Sequence, residues 1–383
     1  NREQSTSSPL LELPTTGFIH RPRLSACCDI LERITWRHSG YLIYVRMTNY
    51  LYQRLAQLVQ AWRADGYPCA DAPTISDLNG DNVAFTENGG AINIDQSSNA
   101  SVNDVDNSDY NGGFLLIQNT NGTSNDQLTI IDTGLITLVG NEVRYNSNPI
   151  GDIDSTDDGS NGNDLRIILD SSIADNDAIG ALIQAVYFDN NSEDPNTTDR
   201  TLNVILNDGS NNSTGNAVTV SITAQNDAPV LDNTGNMTLT SITEDNTDPT
   251  GDTVTAIISS AGGDRITDAD PDQEGIAIFD ASGNGTWQYR VDGGTWNTLG
   301  PVSSSAALLL KATDELRYLG DEENGETASI QFYAWDQSTG SAGATADVTT
   351  RGTTTAFSTD AESATITVTD VNDAPTLGNA TLA

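Results

Sequence analysis

Tandem β-sandwich repeats, an all-β fold, are the expectation from three features of this 383-residue sequence. A phrase centred on Asp-Ala-Pro recurs at Asp71, Asp227 and Asp373, with domain-sized spacings of 156 and 146 residues. Strict two-residue alternation precedes the second and third copies, at Val218, Val220 and Ile222 and again at Ala364, Ile366 and Val368, with Thr or Ser mostly between. Such alternation marks a half-buried final strand. Between the phrases, short apolar runs are separated by clusters of Asn, Asp and Gly, which favour turns.

The elements follow in order. Residues 1–69 form an atypical basic segment, helical or disordered, with eight Arg against five acids and with all the Cys (Cys27, Cys28, Cys69) and His (His20, His38) of the chain. Within it, 41–64 carries Leu51, Leu55, Leu58, Val59 and Trp62 near helical spacing, but Arg46, Arg54 and Arg63 make it too polar to span a membrane. Residues 70–226 form the first repeat, with strands expected at 114–117, 128–131, 135–139, 165–169, 186–188, 202–206 and 217–222 and a short helix over 175–185. Residues 227–373 form the second, with strands at 276–279, 287–291, 316–319, 330–335 and 364–368. Residues 374–383 begin a linker or a further repeat. Pro68-Cys69-Ala70 replaces the expected approach to the first hinge, so the pattern starts in mid-hinge, as a frame change or truncation would leave it. The segment 1–69 is therefore expected to be foreign to the array, and the array to be part of a longer one.

Charge narrows the function. The whole chain has Lys+Arg 16 and Asp+Glu 54, a net charge of -38. Past residue 69 there are 8 basic and 49 acidic residues, a balance of -41. Nucleic acid and anionic lipid need clustered Lys and Arg and are not expected partners. Cations are. Without His or Cys in the acidic part, Ser-His-Asp, Cys-His and zinc sites have no residues there. With so many acids, any carboxylate pair suited to glycoside cleavage is a coincidence. The chain reads as non-enzymatic.

The hinge phrase and its flanks resemble the cadherin-like repeats of large bacterial surface and secreted adhesins. In the second repeat the matching residues are Ile242-Thr243-Glu244-Asp245, Thr267-Asp268-Ala269-Asp270, Tyr333-Ala334-Trp335-Asp336 and the run Val368-Thr369-Asp370-Val371-Asn372-Asp373-Ala374-Pro375. In the first they are Phe85-Thr86-Glu87-Asn88, Asn103-Asp104-Val105-Asp106, Leu206-Asn207-Asp208-Gly209 and Gln225-Asn226-Asp227-Ala228-Pro229. Two departures stand out. The repeats exceed the hundred-odd residues usual for such sandwiches, and no Leu-Asp-Arg-Glu element is found, Asp314-Glu315 standing nearest to its place.

The resemblance implies calcium as the bound ion. A central hinge site would use Glu87, Asn226, Asp227, Asp268, Asp270 and Asp336. Partial sites would use Glu244, Asp370, Asn372 and Asp373 at the C-terminal hinge, and Asp104, Asp106 and Asp208 at the N-terminal one. Calcium takes about six to eight oxygens from such groups, and a dication relieves the repulsion of crowded carboxylates. By contrast Asp77-Leu78-Asn79-Gly80-Asp81-Asn82 only imitates an EF-hand loop, because Asn82 and Asn88 occupy the places that need Gly and Glu. Acid-rich 152–158 is expected to be a solvated turn. The implied role is an extracellular, cell-surface stalk or spacer in adhesion, displayed by or released from a Gram-negative type of bacterium. Its partners would be calcium, neighbouring repeats, and a cell-surface protein or glycan. The alternative is a carbohydrate-binding module using Trp287, Tyr289, Trp296 and Trp335 of the second repeat, since exposed aromatic faces stack on sugars.

Overall fold

The computed structural model describes residues 71–271 and 273–373. The expected helix over 41–64, the cysteines, the histidines and the segment 374–383 lie outside the described residues. The chain divides into two compact units. The first comprises the described residues through Val83 with Ile92–Phe188 and Arg200–Val220; the second comprises Ala84–Ala91, Asp189–Asp199 and the described residues from Ser221 onward.

The strands of the first part of the chain are β1 (Thr74–Ser76), β2 (Asn82–Thr86), β3 (Ile92–Asn93), β4 (Ser101–Asn103), β5 (Phe114–Thr120), β6 (Asp126–Ile130) and β7 (Ile136–Val139). They are followed by β8 (Glu142–Tyr145), β9 (Asn148–Asp158), β10 (Leu165–Leu169), β11 (Val186–Asn190), β12 (Arg200–Asn207) and β13 (Asn216–Thr223). Eight of them form one sheet in the order β2-β13-β12-β5-β10-β9-β8-β7; β3-β11-β6 form a second, and β1-β4 a third. Strands β2, β11 and β13 run on into the second unit. The expected alternation is realised: Leu202, Val204 and Leu206 of β12 and Val218 and Val220 of β13 are buried, while the residues between them stay half-exposed. Helix α1 (Asn176–Ile183) falls inside the expected span. Asp175 caps it by accepting from Ala178 N at 2.9 Å, and Ala178, Ile179, Leu182 and Ile183 face inward. Gly113 is needed where the chain passes Asn207, because a Cβ there would lie 1.9 Å from the Asn207 carbonyl oxygen.

One expectation fails here. Acid-rich 152–158 is not a turn but most of β9, paired with β10 and β8. Ile150 and Gly151 anchor the strand in the core and its acids stay at or near the surface, so ladder and burial override the low β-propensity of Asp. The first unit also buries an ion pair. Arg200 Nε lies 2.8 Å from Asp126 Oδ2 with both side chains fully buried, and Asp126 also accepts from Thr123 N and Asn119 Nδ2.

The remaining elements are β14 (Val230–Leu231), β15 (Met237–Thr238), β16 (Ile242–Thr243), β17 (Asp252–Thr253), α2 (Val254–Ser259), β18 (Ile266–Thr267), β19 (Gly275–Ser282) and β20 (Thr286–Arg290). Then come β21 (Asn297–Thr298), β22 (Ala307–Lys311), β23 (Glu315–Leu319), β24 (Glu326–Trp335), β25 (Thr345–Ala346) and β26 (Phe357–Thr369). The larger sheet runs β15-β26-β24-β19-β22-β25, with β16 also on β26, and the smaller β17-β23-β20-β21. Ile276, Ile278, Leu308, Leu310, Ile330, Phe332 and Ile366 from the larger sheet pack with Trp287, Leu316 and Tyr318 from the smaller and with Ile257 of α2. This is a β-sandwich core. The opposite face of the larger sheet is buried too: Ala277, Leu309, Tyr333 and Trp335 pack with Val348, Ala356 and Phe357. Burial on both faces explains why β22 reads Ala-Leu-Leu-Leu without alternation.

Candidate metal centre

The hinge acids are positioned by strand pairing. In the first unit β1 pairs antiparallel with β4, Thr74 opposite Asn103; in the second β14 pairs antiparallel with β18, Val230 opposite Thr267. Each pairing sets the hinge Asp beside an Asp-x-Asp loop that begins directly after the partner strand. Asp227 N donates to Asp270 Oδ2 at 2.6 Å, and Asp270 N to Asp268 Oδ1 at 3.2 Å. Asp71 N likewise donates to Asp106 Oδ1 and Oδ2 at 3.2 and 3.1 Å, and Asp106 N to Asp104 Oδ1 at 3.2 Å. The two sites are built by one design.

A second repeated feature is a glutamate just past a strand end. Glu87 N donates to Thr223 O at 3.0 Å, and its Oε2 accepts from Gln225 N at 2.8 Å. Glu244 N donates to Thr369 O at 3.1 Å, and its Oε1 accepts from Val371 N at 2.8 Å. Each glutamate thus clips itself to the segment that leads into the next hinge phrase. Glu87 is 1% exposed and Glu244 0%. In both, the other carboxylate oxygen is buried and has no hydrogen-bond partner.

The central set is the fullest. One carboxylate oxygen each of Glu87, Glu193 and Asp227 lie within 4.8 Å of one another. Asp336, 2% exposed, accepts from Ser338 N at 2.7 Å and from Asn226 Nδ2 at 2.9 Å, which ties Asn226 to the same region. The expected residues Glu87, Asn226, Asp227, Asp268, Asp270 and Asp336 are therefore linked in two chains, Glu87–Asp227–Asp270–Asp268 and Asn226–Asp336. Burial raises the Glu87 pKa above its ordinary value, and the charges of Asp227, Asp270 and Glu193 raise it further. Burial and the charges of Glu193 and Asp270 do the same to Asp227. The ion pairs among the described residues, such as Arg265–Asp232 and Arg317–Asp248, lie on other acids.

The N-terminal set is joined less closely: Asp104 and Asp106 are linked directly, and Asp208 shares with Asp104 the neighbouring Tyr110. Asp208 Oδ1 accepts from Ser210 N and Asn211 N, both at 2.6 Å, while Oδ2 of Asp208 and Oδ2 of Asp104 are buried without partners. Both carboxylates act with burial to push the neighbouring Tyr110 phenol up from its usual pKa. The C-terminal set is looser. Asp370 is exposed and accepts from Gly325 N at 3.3 Å, and Asn372 and Asp373 are exposed beyond the last strand. Among the described residues, no group of three acids gathers around Glu244 as Glu193 and Asp227 do around Glu87.

These donor sets fit a hard dication. Unpartnered buried carboxylate oxygens on Glu87, Asp104, Asp208, Asp227 and Glu244 are costly without a cation, since a buried charge requires a partner. All five are expected ligands, and oxygen-only donors suit calcium or magnesium rather than zinc.

Glu193 was not among the expected ligands. It sits in the 191–199 loop between β11 and β12, where Ser, Asp, Pro and Asn give no periodic signal; only the turn itself brings it to Glu87. Asp314-Glu315 has another use. Asp314 accepts from Asp292 N and Lys311 N at 3.0 and 2.9 Å, and Glu315 pairs with Arg290. Of the four aromatic residues of the second repeat, two are buried and two are half-buried. Trp287 and Trp335 are buried in the two cores, their indole N–H groups donating to Ser282 O and Thr339 O. Tyr289 packs against the core, and the guanidinium carbons of Arg290 and Arg317 lie over the Trp296 ring at 4.6 and 4.2 Å from its centroid.

No family model and no curated protein matches the sequence. Among solved structures the chain is similar to human mucin-like protocadherin EC1-2, at 12% identity over 79% of this chain and 99% of that one, with a TM-score of 0.27. It is also similar to the protocadherin GammaB4 extracellular domain, at 13% identity over 79% of this chain and 34% of that one, TM-score 0.29. A third is CfaE, the adhesive subunit of the CFA/I fimbria of enterotoxigenic Escherichia coli, at 10% identity over 76% and 98%, TM-score 0.28. At these scores no residue or activity is carried over from them, and the all-β fold rests on the strands of this chain itself.

Proposed function

We propose that residues 70–226 and 227–373 are successive cadherin-like repeats of a calcium-stabilised extracellular stalk that serves cell adhesion, as in large bacterial adhesins. The observation that carries this reading is the duplicated hinge chemistry. The same Asp-to-Asp hydrogen bonds occur at Asp71 and Asp227, and the same glutamate clip at Glu87 and Glu244. Duplication of buried, unpartnered carboxylate oxygens is unexpected for solvated turn formers. It is what a recurring cation site requires.

Glu87, Glu193, Asn226, Asp227, Asp268, Asp270 and Asp336 would hold calcium at the central hinge, with Asp104, Asp106 and Asp208 contributing at the N-terminal one. Glu244, Asp370, Asn372 and Asp373 would do so at the C-terminal one. Calcium would supply positive charge where the chain has gathered negative charge. Metal would thus take the place of disulfides as the staple of a secreted repeat. No helix among the described residues is long and apolar enough to cross a membrane. The test is thermal unfolding of the full chain in calcium and in EDTA, repeated with Asp270→Ala. The reading predicts a calcium-dependent rise in midpoint that Asp270→Ala diminishes; an unchanged midpoint throughout would sink it.

A further inference from the structure

We propose that the cleft beside the central carboxylates binds an alkylammonium group, the side chain of a lysine on a partner chain. The inference rests on the reading of Glu87, Glu193 and Asp227 as a cation site, and adds a second kind of cation to it. The cleft has a volume of about 410 Å³ and a lining of two unlike kinds. Glu193, Asp227 and Asp360 make it acidic, whereas Pro229, Val230 and Ala269 give it an apolar wall. Val230 is 65% exposed, one of the largest exposures of any apolar side chain among the described residues.

A metal ion draws nothing from an apolar wall, and a shell of oxygens at about 2.3–2.6 Å does not need a space within the range of small-molecule pockets. A lysine uses both kinds of lining. Its methylenes lie along apolar surface while the ammonium reaches the carboxylates. The buried charge that draws it in is Glu87, 1% exposed, whose Oε1 has no partner and which clusters with Glu193 and Asp227 within 4.8 Å. Because the ammonium and calcium share Glu193 and Asp227, each weakens the other, and the coupling is reciprocal. A partner held through this cleft is released as calcium rises.

The test uses the full chain, stripped of calcium, titrated calorimetrically with Nα-acetyl-lysine amide and with the free diamine cadaverine. Both probes are expected to bind. Asp360→Asn and Val230→Ser, each at an exposed position outside the proposed metal set, should each weaken the lysine probe by about fivefold, the scale of one exposed contact. Saturating calcium should displace it. Equal binding with and without bound calcium would overturn the proposal, as would binding unchanged in both variants. Binding of cadaverine alone would overturn the assignment to a lysine side chain. Calcium uptake with no probe binding would overturn this proposal and leave the calcium reading intact. Probe binding that Glu87→Gln abolishes, in a chain that takes up no calcium, would uphold this proposal and end the calcium reading.

Discussion

Glu87→Gln should change the stability of the second unit in opposite directions depending on calcium. Gln keeps an acceptor for Gln225 N and removes one negative charge from a cluster whose oxygens lie within 4.8 Å. At that separation and an effective dielectric of about 20, one like-charge pair costs about 3.5 kcal/mol. Glu193 is exposed, so its repulsion is screened to about 1 kcal/mol or less. Asp227 is half-exposed and its repulsion is screened in part, so in EDTA the variant should gain roughly 1–2 kcal/mol, about 2–8 °C in midpoint for a unit of this size. In calcium the sign reverses. At a hundredfold excess over Kd the ion stabilises the parent by about 2.7 kcal/mol, and a hundredfold weaker variant keeps only about 0.4 kcal/mol of that. Differential scanning calorimetry of the two chains in both buffers measures all four midpoints. A midpoint lowered equally in EDTA and in calcium would make Glu87 only a structural acceptor and refute the reasoning.

Other outcomes follow from the same geometry. In EDTA, stability should fall as pH rises through the raised folded-state pKa values of Glu87 and Asp227, because the folded state binds those protons more tightly than the unfolded chain. This part of the stability is complete below the ordinary carboxylate values of 4.5 and 3.8, and calcium, which favours the ionised forms, should reverse the slope; denaturation at a series of pH values reads it. Arg200→Met leaves the fully buried Asp126 charge without its counterion and should cost about 3–5 kcal/mol in urea denaturation, part of it recovered by adding Asp126→Leu, which in turn takes the acceptor from Thr123 N and Asn119 Nδ2. Gly113→Ala forces a Cβ against the Asn207 carbonyl and should cost about 1–3 kcal/mol in the same assay.

Much of the architecture was legible in the sequence because it rests on short-range rules. Thr or Ser between Val218, Val220 and Ile222 can only face outward if the apolar residues face a core, and β13 obeys. The hinge acids were legible because Asp227, Asp268 and Asp270 recur at the places of Asp71, Asp104 and Asp106, and repetition separates a site from scattered turn formers. What stayed hidden depends on tertiary placement. The 191–199 loop gives no local reason to single out Glu193 over Asp194 or Asp199, and only its fold shows which one meets Glu87. Strand β22 is apolar on both faces, so neither periodicity marks it. The acids of β9 resemble a turn because Asp favours turns in isolation, yet Asp152 is paired on both edges and Asp158 with β10, which keeps the strand in the sheet at both ends of the acid-rich stretch. The aromatic residues of the second repeat were compatible with either a core or a sugar platform, and burial of Trp287 and Trp335 decides for the core.

The measurement closest to the central claim is a calorimetric titration of calcium into the chelator-stripped full chain, beside Asp227→Asn. Asp227 is the residue whose carboxylate meets Glu87 and Glu193 and whose N–H anchors Asp270. Saturable binding is predicted, with affinity reduced at least tenfold in the variant. No saturable heat from the parent chain, or an isotherm that Asp227→Asn leaves unchanged, would contradict the account.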